Sequence, residues 1–108
     1  MQEITANFKE MKWEDAPQNS QWPGAKIKIL REEGKHKTFL IKLPEGFKGI
    51  PHVFQMNEQH IVIEGSFKVE GITYGPGTYR FNPAGNAHDG KFSQNGAVIL
   101  VIQDPLTE

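Results

Sequence analysis

The chain has 108 residues, enough for one domain with a hydrophobic core but too few for a second domain. Its formal net charge is −1 and its lysines are scattered, so we expect neither nucleic acid nor an acidic membrane surface as a partner. The absence of cysteine excludes disulfides, thiolate metal ligands and a cysteine nucleophile. No apolar run approaches the roughly 20 residues of a membrane span and no signal-peptide pattern is present, so we expect a cytoplasmic protein.

The first part of the chain differs in pattern from the rest. Residues 1–24 are polar, with apolar side chains too widely spaced for a regular period, and they end in a loop rich in proline, asparagine and glycine. We therefore predict an N-terminal extension over residues 1–24 that packs on a domain formed by residues 25–108. Because aromatic side chains bury large areas, Trp13 and Trp22 are expected to cover one end of the core.

Short alternating segments follow the extension. Residues 25–31 and 37–43 alternate between apolar and polar side chains around a charged turn, which predicts a β-hairpin. Further short segments follow, with turn signals every 8–12 residues, and residues 97–102 form a continuous apolar run that predicts a strand buried on both faces. Eight or nine short strands without a helical period predict an all-β sandwich or barrel.

One predicted strand carries polar side chains on an apolar face. Residues two apart share a face, so Glu58, His60 and Val62 point the same way. A carboxylate and an imidazole are costly to bury without a partner, and a divalent cation would satisfy both. His52 lies just before the turn that leads to Glu58, and His88 comes from a distant strand. Two imidazoles and a carboxylate predict a site for Fe²⁺ or Zn²⁺, with Ni²⁺ and Mn²⁺ as alternatives.

His60 is a further candidate ligand. It lies about 7 Å from Glu58 along the strand, and a long carboxylate side chain and an imidazole can converge over that distance. We predict that His60 binds the metal or lies within one water of it, because a buried imidazole otherwise needs another hydrogen-bond partner. Three aromatic side chains are predicted to line an apolar pocket beside the metal: Phe54, Tyr79 and Phe81.

Two stretches of the chain resemble the two cupin motifs. The first motif, G-x5-H-x-H-x3,4-E-x6-G, falls with its spacing kept on Gly46, His52, Glu58 and Gly65. The second motif, G-x5-P-x-G-x2-H-x3-N, falls on Gly77, Pro83, Gly85 and His88. The neighbouring sequence is most similar to the cupin domain of ChrR-type anti-sigma factors and to acetylacetone dioxygenase-like cupins. Over about residues 25–103, the resemblance implies a cupin fold, that is, a double-stranded β-helix or jelly-roll barrel.

The resemblance breaks at two positions. The second histidine of the first motif falls on Phe54, which cannot bind a metal, and the asparagine that ends the second motif falls on Phe92. His60 is not a ligand position in the family, but it shares a strand face with Glu58 and is a candidate for the missing imidazole. The alternative is that Phe54 marks a weakened or metal-free site.

These features lead to two hypotheses for function. The first is a metal-dependent, dioxygenase-like enzyme that acts on a small organic molecule in the barrel pocket, where the metal would polarise a substrate oxygen or bind O₂. The sequence points to no catalytic acid or base. The second is a non-enzymatic module that binds a small ligand or senses a metal, with a degenerate metal site. The apolar run 97–102, the strand edges of a small barrel and the family resemblance together predict a homodimer.

Overall fold

The computed structural model describes residues 3–17 and 20–105. Within them, the regular elements are twelve strands and one 3-10 turn at Phe8–Glu10. The strands are β1 (Glu14–Asp15), β2 (Lys26–Glu33), β3 (His36–Leu43), β4 (Phe47–Lys48), β5 (His52–Val53), β6 (Asn57–Gly65), β7 (Phe67–Val69), β8 (Ile72–Tyr74), β9 (Tyr79–Asn82), β10 (Ala87–His88), β11 (Phe92–Ser93) and β12 (Ala97–Asp104). The all-β prediction is confirmed. The strands outnumber the predicted eight or nine because several two-residue strands lie between the loops.

Two antiparallel sheets enclose the core. The larger sheet has the strand order β1-β2-β3-β12-β6-β9, and the smaller one has the order β4-β11-β7-β8. Ile41 and Ile99 of the larger sheet pack in one apolar cluster with Phe47 and Phe67 of the smaller sheet. A separate pair of strands, β5 and β10, places residues of the two predicted motifs side by side. No helix in the described part of the chain has the length and apolarity needed to cross a membrane.

Strand β12 lies at the centre of the larger sheet, between β3 and β6. Its residues alternate between fully buried positions, such as Ile99 and Val101, and half-buried positions, such as Leu100 and Ile102. The prediction that this run is buried on both faces is therefore wrong for its outward face. Because both edges of β12 are hydrogen-bonded to neighbouring strands, this strand cannot extend a sheet into a second copy of the chain.

The N-terminal residues join the fold through the larger sheet. β1 pairs with β2, and Trp22 is buried in the core, as predicted. Trp13 instead lies outside the core, half-buried, with the Nζ atoms of Lys28 and Lys42 at 4.5 and 5.7 Å from its ring centroid. The placement of a boundary between residues 24 and 25 stays a prediction.

The end of β6 requires a glycine. Gly65 has a φ of +70°, and a Cβ at this position would lie 2.2 Å from the carbonyl oxygen of Gly96. Gly77 also has a positive φ, but no atom lies within 4 Å of the corresponding Cβ position. We expect Gly65→Ala to lower the free energy of unfolding by about 1–2 kcal/mol more than Gly77→Ala, since both strain the backbone but only Gly65→Ala displaces a neighbour. Urea denaturation measures the difference, and equal losses would contradict it.

The prediction that Tyr79 and Phe81 line the pocket is wrong. Their side chains on β9 are 54% and 53% exposed, and the alternation of the strand turns Arg80 and Asn82 inward instead. Asn82 is buried with its amide nitrogen 3.5 Å from the Nδ1 atom of His60. The inward face of β9 is therefore the polar one, because it meets a buried polar group of the neighbouring strand.

The outward face of β9 continues across the larger sheet. In the strand register, Tyr79 is opposite Ile61, which in turn is opposite Leu100, and Phe81 and Ile102 lie in the next row on either side of Gln59. We call this surface the outer apolar face and define it by five side chains: Ile61, Tyr79, Phe81, Leu100 and Ile102. The homodimer stays a prediction, and we expect its two copies to contact each other through this face.

Charged substitutions on the outer apolar face test the homodimer prediction. We expect light scattering at micromolar concentration to give twice the chain mass, and Tyr79→Lys combined with Phe81→Lys to give a monomer, because an interface core tolerates charged side chains poorly. The control is Ile72→Lys on β8, where the native side chain is equally exposed at 55% but lies on the smaller sheet. A monomeric wild type, or a dimer that survives both lysines, would contradict the prediction.

Candidate functional site

A cavity of about 400 Å³ opens between the N-terminal loop, β3, β5 and β6. Its lining includes Gln21, Trp22, Phe39, Phe54, Glu58 and Gln103. His52 also borders it, on the short strand β5. The cavity thus combines aromatic walls with one carboxylate, the cationic side chain of Lys37 and several neutral polar groups.

The carboxylate of Glu58 is held by protein donors. Its Oε1 atom lies 2.9 Å from Nε2 of His60 and 3.3 Å from Nε2 of Gln21. Its Oε2 atom lies 3.0 Å from Nε2 of Gln21 and 3.0 Å from Nε2 of Gln103. Three donor nitrogens make these four contacts, because Nε2 of Gln21 reaches both oxygens, so each oxygen has two nitrogens within hydrogen-bonding distance.

His60 lies behind Glu58 and is completely buried. Burial lowers the pKa of His60 to about 4, against the opposing effect of its hydrogen bond to Glu58, so the imidazole is neutral at pH 7. Neutral His60 donates from Nε2 to Glu58, which leaves Nδ1 as an acceptor facing the amide nitrogen of Asn82. Both ring nitrogens thus face protein partners. As predicted from the alternation of β6, Glu58, His60 and Val62 all point inward.

Phe54 lies among the three histidines near the cavity. It is buried, and its ring centroid is 4.6 Å from that of His52, 5.4 Å from that of His88 and 6.2 Å from that of His60. His52 and His88 are direct cross-strand neighbours on β5 and β10. An apolar ring therefore lies between these imidazoles.

His52 has one ring nitrogen without a partner. Its Nδ1 atom lies 3.2 Å from the carbonyl oxygen of Ile50, and burial lowers the pKa of His52, so the neutral ring donates from Nδ1. Its Nε2 atom is then an acceptor, and it is buried with no hydrogen-bond partner among the described residues. The Nδ1 atom of His88 is 3.6 Å from Oε1 of Glu70, beyond hydrogen-bonding distance.

The observed arrangement does not fit a bound metal ion. Among residues 3–17 and 20–105, no three histidine, aspartate or glutamate side chains converge closely enough to hold one. The reasons are local: both oxygens of Glu58 already contact protein donors, and the ring of Phe54 lies among the imidazoles. The predicted ligands His52, Glu58, His60 and His88 stay a prediction that metal titration can test.

Three residues of the site were not predicted from the sequence. Gln21 and Gln103 come from opposite ends of the chain, and no spacing rule connects either of them to Glu58. Lys91 is buried, with its Nζ atom 5.0 Å from the ring centroid of Trp22 and 5.5 Å from that of Phe67. Burial lowers the pKa of Lys91 to about 8, although the charge of Glu58 acts in the opposite direction. The polar centre of the barrel is therefore larger than the predicted ligand set.

The comparison with protein-family models matches residues 1–107 to the ChrR cupin-like domain. The comparison with curated protein sequences found no match. An RmlC-like cupin from Shewanella frigidimarina is 22% identical, with a TM-score of 0.76 over 99% of this chain and 95% of that one. The acetylacetone dioxygenase from Acinetobacter johnsonii is 15% identical, with a TM-score of 0.82 over 95% of this chain and 74% of that one.

A further similar structure is the complex of SigE with the anti-sigma ChrR from Rhodobacter sphaeroides. The match is 19% identical, with a TM-score of 0.72, and it covers 91% of this chain but only 52% of that one. At these identities the structural matches support the fold alone, and they confirm the cupin barrel. Because the family model spans nearly the whole sequence, the chain belongs to the cupins, in the family of ChrR cupin-like domains.

Proposed function

We propose that this cupin binds a small organic molecule in the cavity beside Glu58 and does so without a resident metal ion. The observation that carries the proposal is the hydrogen bonding of Glu58, whose oxygens accept four contacts from His60, Gln21 and Gln103. A metal ion would have to displace at least one of these donors. A buried donor left without its acceptor costs about 1–3 kcal/mol, so the protein contacts compete with the metal.

The cavity has the size and lining of a small-molecule site. Its volume of about 400 Å³ falls in the lower part of the range for such sites, about 300–1,000 Å³. Trp22, Phe39 and Phe54 supply apolar surface, while Gln21 and His52 supply a few oriented polar atoms. Aromatic walls with a small number of fixed polar groups are typical of sites that bind small organic ligands.

A metal-dependent, dioxygenase-like enzyme is the second candidate. One of the similar structures is an acetylacetone dioxygenase and another contains an anti-sigma factor. Structural similarity therefore supports an enzyme and a binding module equally. The observation that favours the enzyme is the cross-strand pair of His52 and His88, since the buried Nε2 of His52 is a free acceptor. This candidate requires the ring of Phe54 to move and Glu58 to lose protein donors.

Fragment binding to chelator-treated protein separates the two candidates. We expect a set of small aromatic and aliphatic fragments, added in the presence of EDTA, to shift the indole N–H resonance of Trp22 in proton–nitrogen NMR spectra. The chain has two tryptophans, and Trp13 on the outside of the sheet is the internal control that should not shift. Fragments that shift Trp22 only after a divalent metal is added would contradict the metal-free proposal.

A further inference from the structure

Two residues that line the cavity each carry a buried acceptor without a partner among the described residues. The Nε2 atom of Gln21 contacts both oxygens of Glu58, at 3.3 and 3.0 Å, and this contact fixes the orientation of its amide. The Oε1 atom of Gln21 is then buried without a hydrogen-bond partner in the described residues, as is Nε2 of His52. Both residues line the cavity.

The unpartnered atoms of Gln21 and His52 have the same hydrogen-bonding role. A carboxamide oxygen is only an acceptor, and the Nε2 atom of neutral His52 is an acceptor because Nδ1 faces the carbonyl oxygen of Ile50. Across the described residues, one further buried side-chain atom lacks a partner, Nδ1 of His88, and that residue does not line the cavity. Two lining residues thus carry acceptors for which the described chain supplies no donor.

Unpaired buried acceptors select ligands strongly. Leaving one without a donor costs about 1–3 kcal/mol, so a ligand that brings an N–H or O–H group removes a penalty that an acceptor-only ligand leaves in place. An organic carboxylate offers only acceptors, so it leaves the same penalty in place. Trp22 and Phe54 provide surface for the apolar part of the same molecule.

We infer that the ligand of this cavity is an organic alcohol or amine, a molecule that presents a hydrogen-bond donor on an apolar body. Its first O–H or N–H donates to Oε1 of Gln21, and an amine has a further N–H for Nε2 of His52. The inference rests on the proposed function and specifies the chemical class of the ligand. It assigns to Gln21 two roles: its nitrogen holds Glu58, and its oxygen selects the ligand.

Two matched pairs of probes test the inference in the wild-type protein. Benzyl alcohol is compared with benzyl methyl ether, which lacks the donor, and benzylamine is compared with benzoate, which offers only acceptors. Dissociation constants come from titrations followed at the Trp22 indole resonance in the presence of EDTA. We expect the alcohol and the amine to bind about tenfold more tightly than their partners, the ratio that follows when one buried acceptor is satisfied.

A pair of variants assigns the preference to Gln21. Gln21→Met and Gln103→Met each remove an amide donor to Glu58, but the free buried acceptor belongs to Gln21. We expect the ratio of ether to alcohol dissociation constants to fall to about twofold or less in Gln21→Met and to stay near tenfold in Gln103→Met. Equal losses of the ratio in the two variants would show that selection acts through Glu58 and would overturn the role of Gln21.

The outcomes separate this inference from the proposed function. Equal affinities for the alcohol and the ether, or tightest binding of benzoate, would overturn the inference and leave metal-free cavity binding intact. If none of the four probes shifts Trp22, the proposed function itself is contradicted, and the inference falls with it. The wild-type comparison needs no substitution, so it remains decisive even if a variant fails to fold.

Discussion

Replacing Glu58 with alanine should lower the free energy of unfolding of the metal-free protein by about 3–5 kcal/mol. The variant removes the acceptor of three side chains at once, and one of them, His60, is completely buried. Donors left without an acceptor in the interior lose the hydrogen bonds that they keep with water in the unfolded chain. Urea denaturation at pH 7 in EDTA measures the loss.

Glu64→Ala provides the matched control. Glu64 lies on the same strand but is exposed, so its loss should change the free energy of unfolding by no more than about 0.5 kcal/mol. A carboxylate whose main partner is a metal ion destabilises the metal-free protein, because it is then a buried charge without a counterion. Under that alternative Glu58→Ala would be neutral or stabilising in EDTA, and this outcome would contradict the hydrogen-bonded cluster.

Acidification should destabilise the protein through His60. Its pKa is lowered by burial to about 4 in the folded state, whereas an exposed histidine in the unfolded chain titrates near 6.5. Between these values the unfolded state binds a proton that the folded state does not, so stability falls as the pH falls from about 6.5 to about 4. At about 1.4 kcal/mol per pH unit, His60 accounts for a loss of about 3 kcal/mol, and for none above pH 7.

Comparing the wild type with His60→Asn isolates the contribution of His60 to the pH dependence of stability. His60→Asn retains a donor near Glu58 but does not titrate, so its free energy of unfolding should fall less steeply than that of the wild type between pH 6.5 and 4. Urea denaturation at several pH values gives both slopes, and other titrating groups cancel in the comparison. Parallel slopes for the two proteins would show that His60 is protonated in the folded state.

Much of the fold is local in origin and could therefore be predicted. The alternation along β6 places Glu58, His60 and Val62 inward, because a strand has a two-residue side-chain period whatever its neighbours are. Gly65, the last glycine of the first motif, ends this strand with a positive φ, a conformation that glycine adopts readily.

Contacts with other strands determine which side chains of β9 face inward. Its aromatic residues, Tyr79 and Phe81, favour an inward assignment on hydropathy alone, yet they are exposed. The hydroxyl of Tyr79 donates a hydrogen bond to Gln59 on the outer face, while Asn82 on the inner face meets His60. Hydropathy contains no information about a polar partner on another strand, so it predicts the wrong face of β9 as the inward one.

The chemistry of the site could be predicted only in part. The sequence indicates that Phe54 replaces a histidine of the motif, but not that its ring lies among three imidazoles. Gln21 and Gln103 lie 37 and 45 residues from Glu58 and follow no spacing rule. Glutamines are common surface residues, so their convergence on one carboxylate is visible only once the chain is folded.

A calorimetric titration of Zn²⁺ into chelator-treated wild-type protein tests the central claim most directly, with His88→Ala as the companion variant. Because both oxygens of Glu58 are held by protein donors and the ring of Phe54 lies among the imidazoles, the wild type should show no one-to-one site with a dissociation constant below about 1 μM, a free energy of about −8 kcal/mol. A one-to-one site tighter than this that His88→Ala abolishes would contradict the account and restore the predicted metal centre.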